Sequence, residues 1–296
     1  MPTIDVLDST IHYEAADGGP FVFLHGNPTS SHAWRHVLPR TGGLAPDLIG
    51  MGRSGKPDIA YTFADQARYL DAFFDALELH DVVLVGHDWG GALAFDWAAR
   101  HPERVRGIAF FETILRPLSW ADYPPIAQER FQGYRTPGVG ERKILEQNVF
   151  ITEALHATTL TTLGEEDYAV YAAPYPTPES RRPLLEWPRA TPIDGEPADV
   201  VARAEAYDAY LATSAVPKLL LTFEGSPTLM IGPELTAWCT EHIANLEIVA
   251  CGPAGHLALE DRPDAIADAI AAWFSRTLGG PTLGDEHEAS AHAARG

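Results

Sequence analysis

The sequence predicts an α/β fold: a mostly parallel central sheet covered by helices on both faces, with a helical cap inserted across one edge. Three observations carry that prediction. Short apolar runs recur as PFVFLHG (20–26), DVVLVGH (81–87), VRGIAFFE (105–112), KLLLTFE (218–224) and LEIVACG (246–252), with helical patterns between them. Such runs fit parallel strands buried on both faces. A glycine-rich turn, GHDWGGAL, joins the second run to a helical pattern. From about Thr113 to Gly195 the strand-like runs stop, and aromatics and prolines accumulate.

Taken in order, PFVFLHG leads into HGNPTSSHAWR, a loop rich in small polar residues. The next junction is short: between WRHVLPRTGG and LAPDLIGMGRSG only Leu44 and Ala45 are available for a core strand before Asp47. Either that strand is very short or the loop before it is cut back. TFADQARYLDAFFDALEL reads as a helix, with Thr62 and Asp65 at capping-box spacing and Leu70, Phe73, Phe74 and Leu77 on one face. GALAFDWAARHP predicts a second helix that begins at Gly90 and ends near Pro102. PLSWADYPPI, APYPTPESRRP and LEWPRATP mark the inserted segment. A cap over the carboxyl edge of the sheet is expected, since sites of open α/β folds lie there; a helical excursion packed elsewhere is the alternative. The expected division is a core over 1–112 and 196–279, a cap over 113–195 and an unstructured tail over 280–296.

Composition narrows the function. The 296 residues are enough for a large core. The formal net charge is −20, from 41 acidic and 21 basic residues, and the lysines are Lys56, Lys143 and Lys218 alone. That average repels a nucleic-acid backbone. Such acidity serves solubility, with adaptation to salt as a second explanation. Cys239 and Cys251 form neither a metal-binding spacing nor a disulfide framework. The N-terminus lacks the pattern of a signal peptide. No stretch approaches the roughly 18 apolar residues of a membrane span. A soluble, cytoplasmic, monomeric protein is expected.

The turn at GHDWG carries the chemistry. Gly86 and Gly90 hold the glycine places of the G-x-S-x-G turn that presents a serine nucleophile, but Asp88 stands at its centre. A carboxylate attacking an ester carbonyl would form an anhydride, no easier to hydrolyse than the ester. Attack at a saturated carbon bearing a leaving group forms an alkyl ester, which water can cleave if a base is near. Asp88 therefore points to displacement followed by hydrolysis, against the plainer reading of an aspartate that caps its own turn.

The base is expected late in the chain. CGPAGHLALEDRP supplies His256 just after the last strand-like run, whereas His36, His80 and His101 sit where surface or capping roles suffice. Glu112 and Glu224 each close a strand and compete to orient that imidazole; composition does not choose between them. A departing halide needs non-basic donors in a dry pocket, which the Trp89 indole and the Asn27 carboxamide can offer. Their backbone N–H groups can form an oxyanion hole. Each alone is equally at home as core filler or turn residue.

HGNPTSSHAWR, APDLIGMGRSGKPD, GHDWGGALAFDWAARHPERV, FFE, EWPRATPI and GPAGHLALEDRPD together resemble the haloalkane dehalogenases of the α/β-hydrolase superfamily, from about Thr10 to Leu278. The likeness is greatest to the subfamily whose triad acid is a glutamate. It implies Asp88 as nucleophile, His256 as base and Glu112 as orienting acid, with Glu224 matching a non-catalytic glutamate of some relatives. It also implies Asn27 and Trp89 as the halide pair, and Pro188 as a cap proline lining the halide site. No cofactor or metal is implied: a small halogenated alkane and water give an alcohol, chloride or bromide, and a proton, a detoxifying hydrolysis. The short GGLAPD junction departs from the family, as does the abrupt N-terminus.

Epoxide hydrolases share this elbow and draw proton donors from cap tyrosines, here Tyr123, Tyr134, Tyr168, Tyr171 and Tyr175. HGNP argues against them, because Asn27 suits a halide. A fluoroacetate-type dehalogenase would have arginine where Trp89 stands, and a binding module would be expected to have lost a triad member. Phe131, Phe150, Leu155 and Leu257 are candidate pocket walls.

Overall fold

A computed structural model describes residues 2–123 and 125–279. The expected tail over 280–296 lies outside the described residues. An eight-stranded sheet forms the centre: β1 (Thr3–Val6), β2 (Ser9–Ala16), β3 (Phe21–Leu24), β4 (Gly43–Pro46), β5 (Val82–Asp88), β6 (Val105–Thr113), β7 (Lys218–Glu224) and β8 (Leu246–Pro253), in the order β1-β2-β4-β3-β5-β6-β7-β8. β2 runs antiparallel to both its neighbours, while β4, β3, β5, β6, β7 and β8 run parallel to one another. All five apolar runs are strands. The two N-terminal strands were not legible, because β2 is half-exposed and mixes charge into its apolar positions.

The helices α1 (Phe63–Ala76), α2 (Trp89–Arg100) and α3 (Ala198–Thr213) cover one face, and α4 (Pro263–Leu278) covers the other. Thr62 and Asp65 close the expected capping box of α1, each side chain accepting the other's backbone N–H. Alternation along the strands sorts the packing. Phe110 meets Phe95 of α2 at 5.0 Å between ring centroids, and Phe95 meets Tyr207 of α3 at 5.7 Å. On the other face Phe23 packs on Trp34 at 5.0 Å and Phe21 on Phe274 of α4 at 4.9 Å. Every residue of β3 and β5 is buried. With both faces covered, the carboxyl edge of the sheet is where a site can open.

Between β6 and α3 lies an inserted helical subdomain. It includes helices Pro125–Arg135, Glu165–Ala172 and Arg182–Ala190 and π-helical turns Glu141–Glu146 and Phe150–Ala154. It sits on the carboxyl edge. His32 meets Asp167 at 2.6 Å, the Tyr171 hydroxyl donates to Glu260 at 2.5 Å, and Trp187 stacks on Trp89 with centroids 4.8 Å apart. Among the described residues no helix is long and apolar enough to cross a membrane.

The short junction has a physical explanation. A four-residue helix, Leu38–Thr41, runs straight into β4 through Gly42 and Gly43, at φ of 73° and 111°. The turn lies flush against the connection from β2 to β3. A Cβ on Gly42 would come within 2.5 Å of the Gly19 nitrogen, and one on Gly43 within 2.4 Å of the Phe21 carbonyl. Two glycines replace a longer loop, and β4 keeps four antiparallel partners on β2. Gly43→Ala should destabilise the protein by about 1–3 kcal/mol. Gly138→Ala is the control, at φ 77° but with nothing within 4 Å. Thermal unfolding checks this: Gly43→Ala should lower Tm clearly more, and equal losses would contradict the close-approach account.

Candidate active site

Asp88 ends β5 and opens α2 with φ 51° and ψ −126°, an uncommon backbone for a residue bearing a side chain. The strain is held by close packing around the turn. A Cβ on Gly86 would lie 2.4 Å from the Gly91 Cα, and one on Gly90 2.0 Å from the Leu24 carbonyl oxygen. The Thr113 hydroxyl donates to the Asp88 carbonyl at 2.6 Å and ties the turn to β6. The expected helix starts one residue before Gly90, so that the Trp89 N–H is among the amides without a partner inside the helix.

The two oxygens of the Asp88 carboxylate have different surroundings. Oδ2 accepts the Asn27 backbone N–H at 2.8 Å, while Oδ1 faces His256 Nε2 at 3.6 Å. The second distance is too long for a good hydrogen bond but close enough for strong charge coupling. Burial disfavours the Asp88 carboxylate, yet His256 and the Asn27 N–H outweigh it and hold the group below its ordinary range.

On its other side His256 Nδ1 lies 3.3 Å from Glu112 Oε2. Glu112 is buried at the end of β6 with φ 49°, and accepts the backbone N–H groups of Met230 at 2.7 Å and Ile231 at 3.1 Å. These bonds leave its carboxylate facing the imidazole. Glu224 is exposed at the end of β7. Of the two glutamates that composition left open, Glu112 meets His256 and Glu224 does not. Burial disfavours the His256 imidazolium, but the flanking carboxylates outweigh it and push the ring up to about 10.

Above the elbow, Trp89 is sandwiched under Trp187, whose indole N–H points to Met51 Sδ at 3.2 Å. Trp89 itself is buried. Pro188 is buried within the helix Arg182–Ala190. Proline has no N–H, so it cannot take up the carbonyl of Leu184, four residues earlier. The Asn27 carboxamide Nδ2 approaches that carbonyl instead, at 3.5 Å. Asn27 thus meets Asp88 through its backbone and the helix Arg182–Ala190 through its side chain, and Trp89 meets the same helix through Trp187.

Two buried histidines escaped the sequence reading. His25 holds the Gly26 carbonyl on Nδ1 at 3.0 Å and receives the Leu48 N–H on Nε2 at 2.9 Å, fixing the loop that presents Asn27. His87 lies 2.8 Å through Nε2 from the His256 carbonyl and packs on the His256 ring at 5.0 Å. Burial pushes its pKa down to about 3, so it is a neutral donor. Thr228 Oγ1 accepts the His256 N–H at 3.1 Å. The only sequence signal for the histidines was their place in FLHG and GHD; the other nine histidines outside the site gave no contrast to weigh them against.

The candidate walls divide. Tyr123, Phe131, Tyr134 and Phe150 form a chain of rings with centroid separations of 5.2 Å, 6.0 Å and 5.3 Å. Leu155 and Leu257 are buried in the core cluster. Tyr168 stacks on His156, Tyr171 is committed to Glu260, and Tyr175 lies under Lys56. Burial raises the Tyr123 phenol, and the charge of Asp88 adds to the rise.

Comparison with known proteins agrees with this geometry. Residues 19–263 match the family model of the alpha/beta hydrolase fold. The haloalkane dehalogenase of Mesorhizobium japonicum is 50% identical over 284 residues, 93% of this chain and 91% of that protein. That of Agrobacterium fabrum is 46% identical over 90% of this chain and 88% of its own. The solved haloalkane dehalogenase DbeA from Bradyrhizobium elkani superposes with a TM-score of 0.88 at 46% identity, covering 93% of this chain and 97% of that one. With the fold, the aspartate elbow and the likeness along nearly the whole sequence in agreement, the chain belongs to the haloalkane dehalogenases of the α/β-hydrolase fold.

Proposed function

We propose that this enzyme hydrolyses small haloalkanes in two steps on one carboxylate, a reading carried by the unequal surroundings of the two Asp88 oxygens. Oδ1, free of a tight hydrogen bond, attacks the carbon bearing the halogen. A carbon–oxygen bond forms, the carbon–halogen bond breaks, and halide leaves with the bonding electrons. The Asn27 carboxamide and the Trp89 indole receive the developing halide charge, with Pro188 lining the same space. Pro188 also keeps the Leu184 carbonyl available to orient Asn27.

In the second step water attacks the carbonyl carbon of the Asp88 ester and gives its proton to His256. The Asn27 backbone N–H already bonds Oδ2, and it stabilises the oxyanion there together with the Trp89 N–H. Collapse expels the alcohol, which takes the proton back from His256; Asp88 is left as the carboxylic acid, and the proton it sheds to become a carboxylate again accompanies the halide into water. Glu112 orients the ring and balances its charge. Alkylation itself prepares the base. Once Asp88 is an ester, one of the two charges that raised His256 is gone, so the imidazole gives up its proton more readily.

In this reading residues 1–112 and 196–279 form the catalytic core, and 113–195 the cap that shapes the substrate space. The enzyme acts as a cytoplasmic monomer in this reading.

Bromide and acid release from 1,2-dibromoethane and 1-bromobutane test the assignment. Asp88→Asn should release neither, and His256→Phe should release at most one bromide per site, with turnover down by about 10²- to 10⁴-fold. Glu112→Gln should lower turnover by about a hundredfold or more, and Glu224→Gln should leave it unchanged. If Glu224→Gln were the damaging variant, the acid would be misassigned. Epoxide turnover abolished by Tyr123→Phe, with no bromide released, would favour the epoxide hydrolases.

The pH dependence should divide between the steps. Asp88 stays ionised below its ordinary range, so alkylation persists on acidification. His256 in the ester form titrates below its resting value of about 10 and must be neutral to accept a proton. As pH falls below about 6, turnover should therefore drop while the first bromide per site is still released. Rapid-quench kinetics would show this; loss of both phases at the same pH would contradict it.

A further inference from the structure

The loop that carries His256 is fastened to the inserted subdomain on both sides of the histidine. The Leu257 N–H donates to the Thr158 carbonyl at 2.9 Å. Gly255 is pressed so closely on the same carbonyl that a Cβ there would lie 2.1 Å from it. The second fastening runs through Asp261, whose Oδ2 accepts the Gly255 N–H at 2.8 Å. The same carboxylate accepts the Leu160 N–H at 2.9 Å and 3.0 Å, the Thr161 N–H at 2.7 Å and the Thr161 hydroxyl at 2.5 Å. One half-buried anion thus joins the residue before His256 to the 158–161 segment of the subdomain.

From this we infer that Asp261 is a positioning residue for the hydrolytic step, coupling the seating of segment 158–161 to the placement of His256. The inference rests on the two-step reading above. Charge-assisted bonds to backbone N–H groups are strong and directional, and their donors hold Asp261 below the usual carboxylate range against the opposing effect of burial. Asp261 touches neither Asp88 nor Glu112. The first step needs Asp88 and the halide donors, whereas the second needs the imidazole at the correct place beside the ester. Loosening the Gly255 side should therefore slow ester hydrolysis and spare alkylation.

Steady-state kinetics with 1-bromobutane, together with intact-mass measurement of acid-quenched enzyme during turnover, separates the steps. Asp261→Ala should lower kcat by about ten- to a hundredfold and lower KM with it, leaving kcat/KM near the parent value, while alkylated enzyme accumulates. Asp261→Asn, nearly isosteric, should shift both constants in the same direction by less, and it decides the matter if the alanine variant fails to fold. Thr161→Val leaves the Gly255 bond intact and removes a bond on the subdomain side; a smaller fall in kcat, matched by a fall in KM, supports the coupling. A fall in kcat/KM with no alkyl-enzyme, or kinetics unchanged in a variant of lower Tm, would overturn the inference and make Asp261 a stabilising anchor only. If His256→Phe also accumulated no alkyl-enzyme, the two-step reading itself would fail, which keeps the failures distinguishable.

Discussion

Holding one imidazole between two buried carboxylates is the demand around which the site is organised. A buried charge is costly unless it is paired and hydrogen-bonded. Here each carboxylate has backbone donors of its own: Asn27 for Asp88, Met230 and Ile231 for Glu112. These donors come from the loops after β3 and β7, so the charge arrangement depends on the parallel register that brings those strand ends together. His256 is held through its main chain as well, by His87 and Thr228. The histidine before the nucleophile thus ties the elbow to the loop of the base.

The two carboxylates that flank His256 share an unusual backbone. Asp88 and Glu112 both have positive φ, and both sit where β5 and β6 lose their regular register. A regular strand would send successive side chains to opposite faces; leaving that geometry aims both carboxylates at the same edge. The strain is sustained by packing too close for side chains at Gly86 and Gly90. At the opposite end of the sheet, Gly42 and Gly43 use the same device to shorten a connection without losing β4.

Much of this was legible in the sequence. The five core strands were apolar runs of strand length, and α1 announced itself by periodicity and a capping box. Asp88 stood out because a known turn pattern had the wrong residue at its centre, and His256 because it followed the last strand-like run. What stayed hidden depended on tertiary contact. Glu112 and Glu224 look alike because both end strands; only the loop at 225–232 folds over one of them and leaves the other in solvent. His25 and His87 read as ordinary flanking residues, since the contacts that set them apart are to backbone groups of Leu48 and His256, far along the chain. Strand β4 was doubtful because its shortness is compensated by glycine contacts that no local pattern records. The approach of the Asn27 carboxamide to the Leu184 carbonyl was likewise hidden, since the two lie far apart in the sequence.

The most direct test of the account is the origin of the oxygen in the product. A single turnover of 1-bromobutane with excess enzyme in water enriched in heavy oxygen, followed by mass spectrometry of the alcohol and of the peptide containing Asp88, would read it. The account requires the first alcohol to carry ordinary oxygen taken from Asp88, and the Asp88 peptide to gain the heavy isotope. Heavy oxygen in the first alcohol and an unlabelled peptide would mean that water attacks the substrate directly, and the covalent mechanism would be wrong.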